Sequence, residues 1–473
     1  MNKPTTDVST DPNAQLSVTE RPVVRALIEA LPEGTVLLGS DVTERSAGIW
    51  RTDHLKAQVL VRPKTTEEVS LALQICFEHH QSVVPQGGLT GLVEGGLTEP
   101  QDIVLSTERM TEIEEISADE RTITAQAGVI LQTLQETAAE HGLMFPLDLG
   151  GRGSCTIGGN LATNAGGNRV IRYGMARDMV LGLEVVLADG TVISSMNHMI
   201  KNNAGYDLKQ WFLGTEGTLG IITKAVLRCR EEVVNAPTAL VAISSFDALI
   251  AFLKHADQGL RGHLSAFEVM WKNYYMLVTT APAKNHAPLA SQWPYYVLVE
   301  AMGSDENQLS EVLAEAIEAS LVEDAVLAQS SQQQENLWAL RDDVAQAFQF
   351  APVFLFDVSL RLSQMESYVE AVNLALAEGF ENPRNFVLGH VGDGNIHFAI
   401  AVGGDSAEDR AGVEAAVYAP LEALKGSVSA EHGIGLEKKP YLHLVRSQAE
   451  IELMRTIKRA MDPRDILNPG KVF

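Results

Sequence analysis

Two short histidine-bearing strings carry the plainest chemistry in this chain. The first, HVGDGNIH, sets His390 and His397 on either side of a Gly-Asp-Gly centre. Those central residues are turn formers, so the two imidazoles are expected to face each other across a hairpin. The second, SAEHGIG, places Glu431 directly before His432. Two imidazoles and one carboxylate are a common ligand set for a divalent transition metal; Zn²⁺, Mn²⁺ and Fe²⁺ all accept it. Asp393 is the rival carboxylate, although an aspartate within a turn more often bonds its own backbone.

Glycine carries the second signal. The total of 38 is ordinary, but five glycines lie within 87–96 and seven within 150–167. The first cluster, PQGGLTGLVEGG (85–96), follows a β-branched run and contains no Lys or Arg. Such a loop lets backbone N–H groups converge into a nest that can hold a pyrophosphate without lysines. It has neither the GxGxxG nor the GxxxxGK[ST] spacing. The second cluster, GGRGSCTIGGNLATNAGG (150–167), combines close backbone approach with hydroxyl and amide hydrogen bonding.

The elements that must position these strings alternate strand and helix. Helices are expected at 19–30 and from Thr66 onward, with strands at 82–85, 102–106 and 122–125. Residues 185–194 read as a hairpin turning on Asp189-Gly190, and 220–229 as a strong strand. The stretch EEVVNAP (231–237) looks like a linker. Beyond it, strands recur at 238–244, 295–301 and 353–361, with helical stretches at 304–320, 331–347 and 363–379, suggesting an α+β unit.

Composition narrows the function. A chain of 473 residues is about three times the usual ~150-residue domain, favouring two domains. Lys and Arg number 36 against 61 Asp and Glu, and the net charge of −25 disfavours nucleic acid and anionic lipid as partners. The longest uncharged stretch, 153–168, is polar, so no membrane span is expected. Three cysteines, Cys76, Cys155 and Cys229, with no CxxC pair argue against a disulfide framework or an iron–sulfur cluster. Residues 1–18 read as a disordered tail without an apolar targeting core, and a cytoplasmic location is expected.

A third piece, KNNAGYDL (201–208) followed by GTEGTLGII (214–222), completes a pattern. With the two glycine clusters it resembles the FAD domain of the vanillyl-alcohol oxidase/p-cresol methylhydroxylase (PCMH) superfamily, over about 55–230. The strings HVGDGNIH, EHGIGLEK and the ending MDPRDILNPGK (461–471) resemble the C-terminal part of FAD-dependent D-2-hydroxyacid dehydrogenases. That group includes flavin-type D-lactate, glycolate and D-2-hydroxyglutarate dehydrogenases. The resemblance thus covers about 55–473. It implies an α+β fold: a two-subdomain PCMH-type FAD-binding domain (19–231), a substrate or cap domain with antiparallel sheet (238–425), and a segment (426–473) returning to the FAD domain.

Roles follow from the resemblance. Pro85, Gln86, Gly87, Gly88, Leu89, Thr90, Gly91 and Leu92 would wrap the pyrophosphate. Gly150, Ser154, Gly158, Asn160, Thr163 and Asn164 would line the adenosine diphosphate and flavin edge; Glu216 would bond the ribose or adenine end, and Ile221 the adenine through its backbone. Relatives often carry Asn where this chain has Leu89. No histidine lies in 81–140, so noncovalent FAD is expected. His390, His397 and Glu431 would be the metal ligands, with Zn²⁺ the family-weighted choice, and His432 the catalytic base. Asn395 and Arg341 would hold the substrate carboxylate.

The resemblance implies oxidation of a D-2-hydroxyacid to its 2-oxoacid, with hydride transfer to the flavin and the proton taken by His432. D-2-Hydroxyglutarate dehydrogenases carry a threonine and a lysine where this chain has Ala345 and Leu355, which weakens the case for a second, distal carboxylate on the substrate. Other flavin alcohol oxidation on the same fold, or a noncatalytic flavin-binding subunit, are the alternatives. A soluble electron acceptor such as an electron-transfer flavoprotein is expected, and a homodimer is plausible.

Overall fold

The computed structural model describes residues 17–49 and 51–473. The tail expected over 1–18 therefore falls outside the described residues except for Ser17 and Val18. Val18 already opens a 3₁₀ turn, Val18–Glu20, and the first helix runs Pro22–Ala30 rather than from 19. Proline fits the first helical position because its missing N–H has no intrahelical acceptor there.

The N-terminal half holds two sheets. The first orders its strands Val36–Leu38, Val59–Val61, Ile103–Ser106 and Val83–Gln86, the last three mutually parallel. The helix Thr66–Glu78 packs on it, capped by the Thr65 hydroxyl accepting from Glu68 N–H. The second sheet is antiparallel: Ile113–Ser117, Thr122–Gln126, Ile221–Arg228, Val180–Val186 and Val192–Ser195. Its last two strands pair Val185 with Ile193, so the Asp189-Gly190 turn forms as expected.

No strand or helix interrupts 232–237, and Thr238 opens the second half. That half is built on one seven-stranded antiparallel sheet. The order is Asp324–Leu327, Thr238–Ile243, Tyr295–Ala301, Leu264–Trp271, Arg384–Gly389, Asn395–Ala401 and Phe354–Ser359. The helix Ser331–Asp342 stops short of the expected 347 and tightens into a 3₁₀ turn, Val344–Phe350.

The two faces of this sheet differ, and the difference positions the site. One face sends Phe267, Val269, Phe356, Val358 and Phe398 into a core beneath the helices Phe246–Leu260, Glu306–Glu318, Met365–Gly379 and Ala407–Leu424. Fully burying each such side chain contributes about 1.5–3 kcal/mol. The opposite face begins apolar, with Leu298, Met270, Leu388 and Ala399. It ends in Glu268, His397, Asp357 and Asn395, because side chains alternate along a strand.

The chain end ties the halves together. Ser427 pairs with Ser359 of the large sheet. The helix Gln448–Met461 then leads to Ile466 and Leu467, buried in the core of the first sheet, where Leu467 pairs in parallel with Val83.

Candidate active site

The Gly-Asp-Gly turn works as its composition suggests. The strands Arg384–Gly389 and Asn395–Ala401 pair Leu388 with His397 across a short 3₁₀ turn, Val391–Asp393. This brings the His390 and His397 rings to 5.2 Å, edge to face. Glu431 arrives from the C-terminal segment, with Oε1 3.7 Å from His390 Nε2. One ligating atom from each of His390, His397 and Glu431 lies within 4.8 Å of the others. Asp393 is exposed in the turn and belongs to no such group.

Glu268, from the neighbouring strand, organises one side of this trio. Its Oε1 lies 2.6 Å from His390 Nδ1, and its Oε2 accepts from Arg341 Nε at 2.7 Å. Burial opposes charge on the Glu268 carboxyl, but the His390 and Arg341 fields outweigh it and lower its pKa. Burial also opposes charge on His390; Glu268 and Glu431 outweigh that and raise it to about 9. The 3.0 Å approach of Arg341 Nη2 to His390 Nε2 instead requires a neutral ring that donates from Nδ1 and accepts at Nε2. A metal at Nε2 imposes the same neutral tautomer.

Asp357 organises the other side. One oxygen, Oδ2, accepts from the backbone N–H groups of Ala430, Glu431 and His432 at 3.0, 2.9 and 3.0 Å. That carboxylate fixes the turn bearing Glu431 and His432 onto the sheet. The Lys438 ammonium lies 3.5 Å from the same oxygen and donates to the Asp357 carbonyl. Burial opposes the Asp357 charge, but His432, Lys438 and His397 hold its pKa far below the usual carboxylate range. Asp357, His397 and His432 form a second group of potential ligands. Asp357 Oδ1 has no hydrogen-bond partner, but the Lys438 ammonium against the same carboxylate makes this the poorer cation site. The trio with Glu431 offers two imidazoles and an unshared carboxylate, the better chemical fit.

The glycine loops meet along a cleft of about 410 Å³. All eight residues from Pro85 to Leu92 line it, with Gly158, Asn160, Thr163, Glu216, Ile221 and His432. Contact between the loops demands glycine at position 88, where a Cβ would overlap the Ser154 carbonyl oxygen. Leu89 takes a left-handed φ of 54°, a conformation asparagine tolerates better than leucine. Apolar residues of the second half, Phe348, Val353 and Leu355, also border the cleft.

Several expected residues sit differently. Gly150, Ser154 and Asn164 do not border the cleft. The Asn164 amide is used structurally, its Oδ1 accepting from Arg177 N–H and its Nδ2 facing Met175 Sδ. Glu216 borders the cleft, but its two oxygens accept from Ile434 and Gly435 N–H at 2.6 and 2.8 Å, so it latches the C-terminal turn instead of standing free for a ribose. That turn needs glycine at 433, where φ is 87° and a Cβ would lie 2.8 Å from Glu216 Oε1. Arg341 is no open fork, since Glu268 already holds its Nε. Asn395 is buried on the same strand as His397, two residues before it, and neither of its amide atoms has a hydrogen-bond partner.

The chain matches two family models, an FAD binding domain over residues 57–195 and the C-terminal domain of FAD linked oxidases over 234–472. It is 38% identical over 457 residues to the mitochondrial D-2-hydroxyglutarate dehydrogenase of Danio rerio, covering 95% of this chain and 84% of that one. The chain belongs to the FAD-dependent D-2-hydroxyacid dehydrogenases. A D-2-hydroxyglutarate dehydrogenase of Xanthomonas citri pv. viticola is 38% identical over 445 residues, 92% of each chain. The fold is shared with p-cresol methylhydroxylase, at a TM-score of 0.75 and 16% identity over 95% of this chain and 96% of that one. In this dehydrogenase the FAD-binding match spans both glycine loops, which form one wall of the cleft.

Three residues of the site escaped sequence reasoning: Glu268, Asp357 and Lys438. The first two had a usable signal. Each is the sole charge in a largely apolar strand, LSAFEVMW or FLFDVS, and a charge in such a strand needs a buried partner.

Proposed function

We propose that this dehydrogenase oxidises a D-2-hydroxyacid to its 2-oxoacid at the junction of the cleft and the histidine hairpin. The observation that carries the reading is the convergence of His390, His397 and Glu431 within 4.8 Å, one residue from His432, which borders the cleft. When bound, FAD supplies the two-electron acceptor, and a divalent cation, Zn²⁺ by preference, supplies Lewis acidity at the substrate hydroxyl.

The protein's own groups do the rest. His390, His397 and Glu431 would hold the cation. Burial lowers the His432 pKa, against the pull of Asp357, so its ring is neutral and able to take the hydroxyl proton at physiological pH. Asp357 keeps that ring in place through the backbone N–H it accepts. Arg341 would turn its Nη2, here 3.0 Å from His390 Nε2, to the substrate carboxylate once a cation occupies that nitrogen, and the partnerless Asn395 amide supplies further donors and acceptors beside the hairpin. We take FAD to be noncovalent: Cys155 at the cleft is buried, and burial raises its thiol pKa, leaving it a poor nucleophile.

For the substrate side chain, Phe348, Val353 and Leu355 offer an apolar wall, which suits D-lactate or a longer apolar D-2-hydroxyacid. A second reading, D-2-hydroxyglutarate, is favoured by Arg410 at the same cleft, whose guanidinium lies over the Phe354 ring, and by the names of the relatives. We further propose that electrons leave to a soluble carrier such as an electron-transfer flavoprotein, in the cytoplasm. The test is anaerobic bleaching of the flavin by a panel of D- and L-2-hydroxyacids including lactate, 2-hydroxyglutarate and 2-hydroxyoctanoate. Bleaching by D but not L acids is expected. If no D-2-hydroxyacid bleaches the flavin, the proposal fails.

A further inference from the structure

Glu268 is a buried acid to which the proposed reaction gives no role, and its surroundings are unusually specific. It is 1% exposed on the strand Leu264–Trp271, and its two oxygens serve different partners. One lies 2.6 Å from His390 Nδ1, the other 2.7 Å from Arg341 Nε. We infer that Glu268 is a positioning residue that locks a metal-ligating histidine and a carboxylate-binding arginine into one rigid unit. The inference rests on the roles proposed above for His390 and Arg341.

The geometry explains why one carboxylate can do both tasks. Accepting from Nδ1 fixes the His390 tautomer and turns Nε2 toward Glu431 Oε1, 3.7 Å away. Accepting at Nε fixes the guanidinium plane, which sets Nη2 3.0 Å from His390 Nε2 and Nη1 3.5 Å from Asp342 Oδ1. The partners come from different elements, the helix Ser331–Asp342 and the end of the strand Arg384–Gly389, and among the described residues no other carboxylate hydrogen-bonds to both. Metal geometry and substrate orientation are therefore set by the same side chain. Glutamine has the right shape but only one acceptor oxygen; its amide N–H₂ would confront a donor on whichever side it faces. Aspartate keeps two acceptor oxygens and the charge but is one methylene shorter.

The experiment uses the FAD-loaded enzyme, stripped with EDTA and titrated with Zn²⁺ against a chromophoric chelator, with kcat and KM measured in parallel. The expected result is tight Zn²⁺ binding by the wild type and about 10- to 100-fold weaker binding by Glu268→Gln, with a raised KM for the hydroxyacid and unchanged FAD content. Glu268→Asp should recover part of the Zn²⁺ affinity. Glu268→Gln leaves Arg341 buried without its carboxylate and can fail to fold, so Glu268→Leu combined with Arg341→Met serves as the second variant. It should bind Zn²⁺ at least about 10-fold more weakly than Arg341→Met alone, because leucine leaves His390 Nδ1 without its acceptor. Zn²⁺ affinities equal within error across wild type, Glu268→Gln and both Arg341→Met proteins overturn the positioning role alone. A wild type that binds no Zn²⁺ overturns the metal reading and this inference with it.

Discussion

A methyl group at position 88 tests whether the contact between the two glycine loops builds the flavin cleft. The added Cβ of Gly88→Ala would overlap the Ser154 carbonyl oxygen, at 2.9 Å from its carbonyl carbon and 3.0 Å from Cys155 Cα. All three neighbours are backbone, so no side-chain rotation relieves the clash, and the loops must part. Overpacking of this kind costs about 1–3 kcal/mol. If the FAD-bound form bears all of it, FAD affinity falls by about 5- to 150-fold. The control is Gly379→Ala, away from the cleft at the end of the helix Met365–Gly379, where a Cβ meets nothing within 4 Å. The assay is FAD bound per chain after gel filtration, followed by titration with FAD. Gly88→Ala should lose flavin while Gly379→Ala keeps it. Equal flavin content and FAD affinity in the two variants would refute the reasoning.

Three further outcomes are expected. Leu89→Asn should raise stability toward urea by about 1 kcal/mol, because asparagine tolerates the left-handed backbone that leucine holds at a cost; an unchanged or lower unfolding midpoint contradicts it. Asp357→Asn keeps an acceptor for the Ala430, Glu431 and His432 N–H groups but leaves Lys438 without its carboxylate, and should destabilise the protein by about 3 kcal/mol and lower kcat with FAD retained. Urea melts and steady-state kinetics check both effects, and a wild-type kcat contradicts the role given to Asp357. Burial lowers the His432 pKa below its ordinary 6.5, so the base stays neutral as pH falls through that value. The acid limb of the kcat/KM profile should therefore lie below pH 6.5, and a midpoint above 6.5 contradicts the assignment.

What the sequence made legible was local. The Gly-Asp-Gly turn carries its own geometry, so the approach of the His390 and His397 rings could be read from eight residues. A single glycine cluster reads as readily as a plain surface loop, and it was two clusters together with the third piece, 201–222, that pointed to the backbone-lined cleft. What stayed hidden depended on distant partners. Glu268 meets His390 across 122 positions, and Asp357 meets Glu431 across 74. The local string GTEGTLG gave no sign that Glu216 would be taken by Gly435, 219 residues on. The central strand Leu264–Trp271 was missed because its sequence is a poor strand signal. LSAFEVMW holds one β-branched residue, Val269, where the equally buried TALVAI of Thr238–Ile243 holds three.

The net charge of −25 poses a problem that the site answers locally. An anionic substrate must approach a negative protein, yet at the hairpin it would meet Arg341 and, in the proposed holoenzyme, a divalent cation. The field is thus reversed over a few ångströms, with Glu268 and Asp357 kept behind the histidines as buried supports.

The most direct measurement is anaerobic stopped-flow bleaching of the flavin in His432→Ala. The variant should retain FAD and its oxidised spectrum, because His432 borders the cleft but its backbone N–H, not its ring, holds the turn to Asp357. Removing a general base should slow reduction by a saturating D-2-hydroxyacid about 10²- to 10⁴-fold. Bleaching within about threefold of the wild-type rate would contradict the account, since a proton acceptor other than His432 would then serve the reaction.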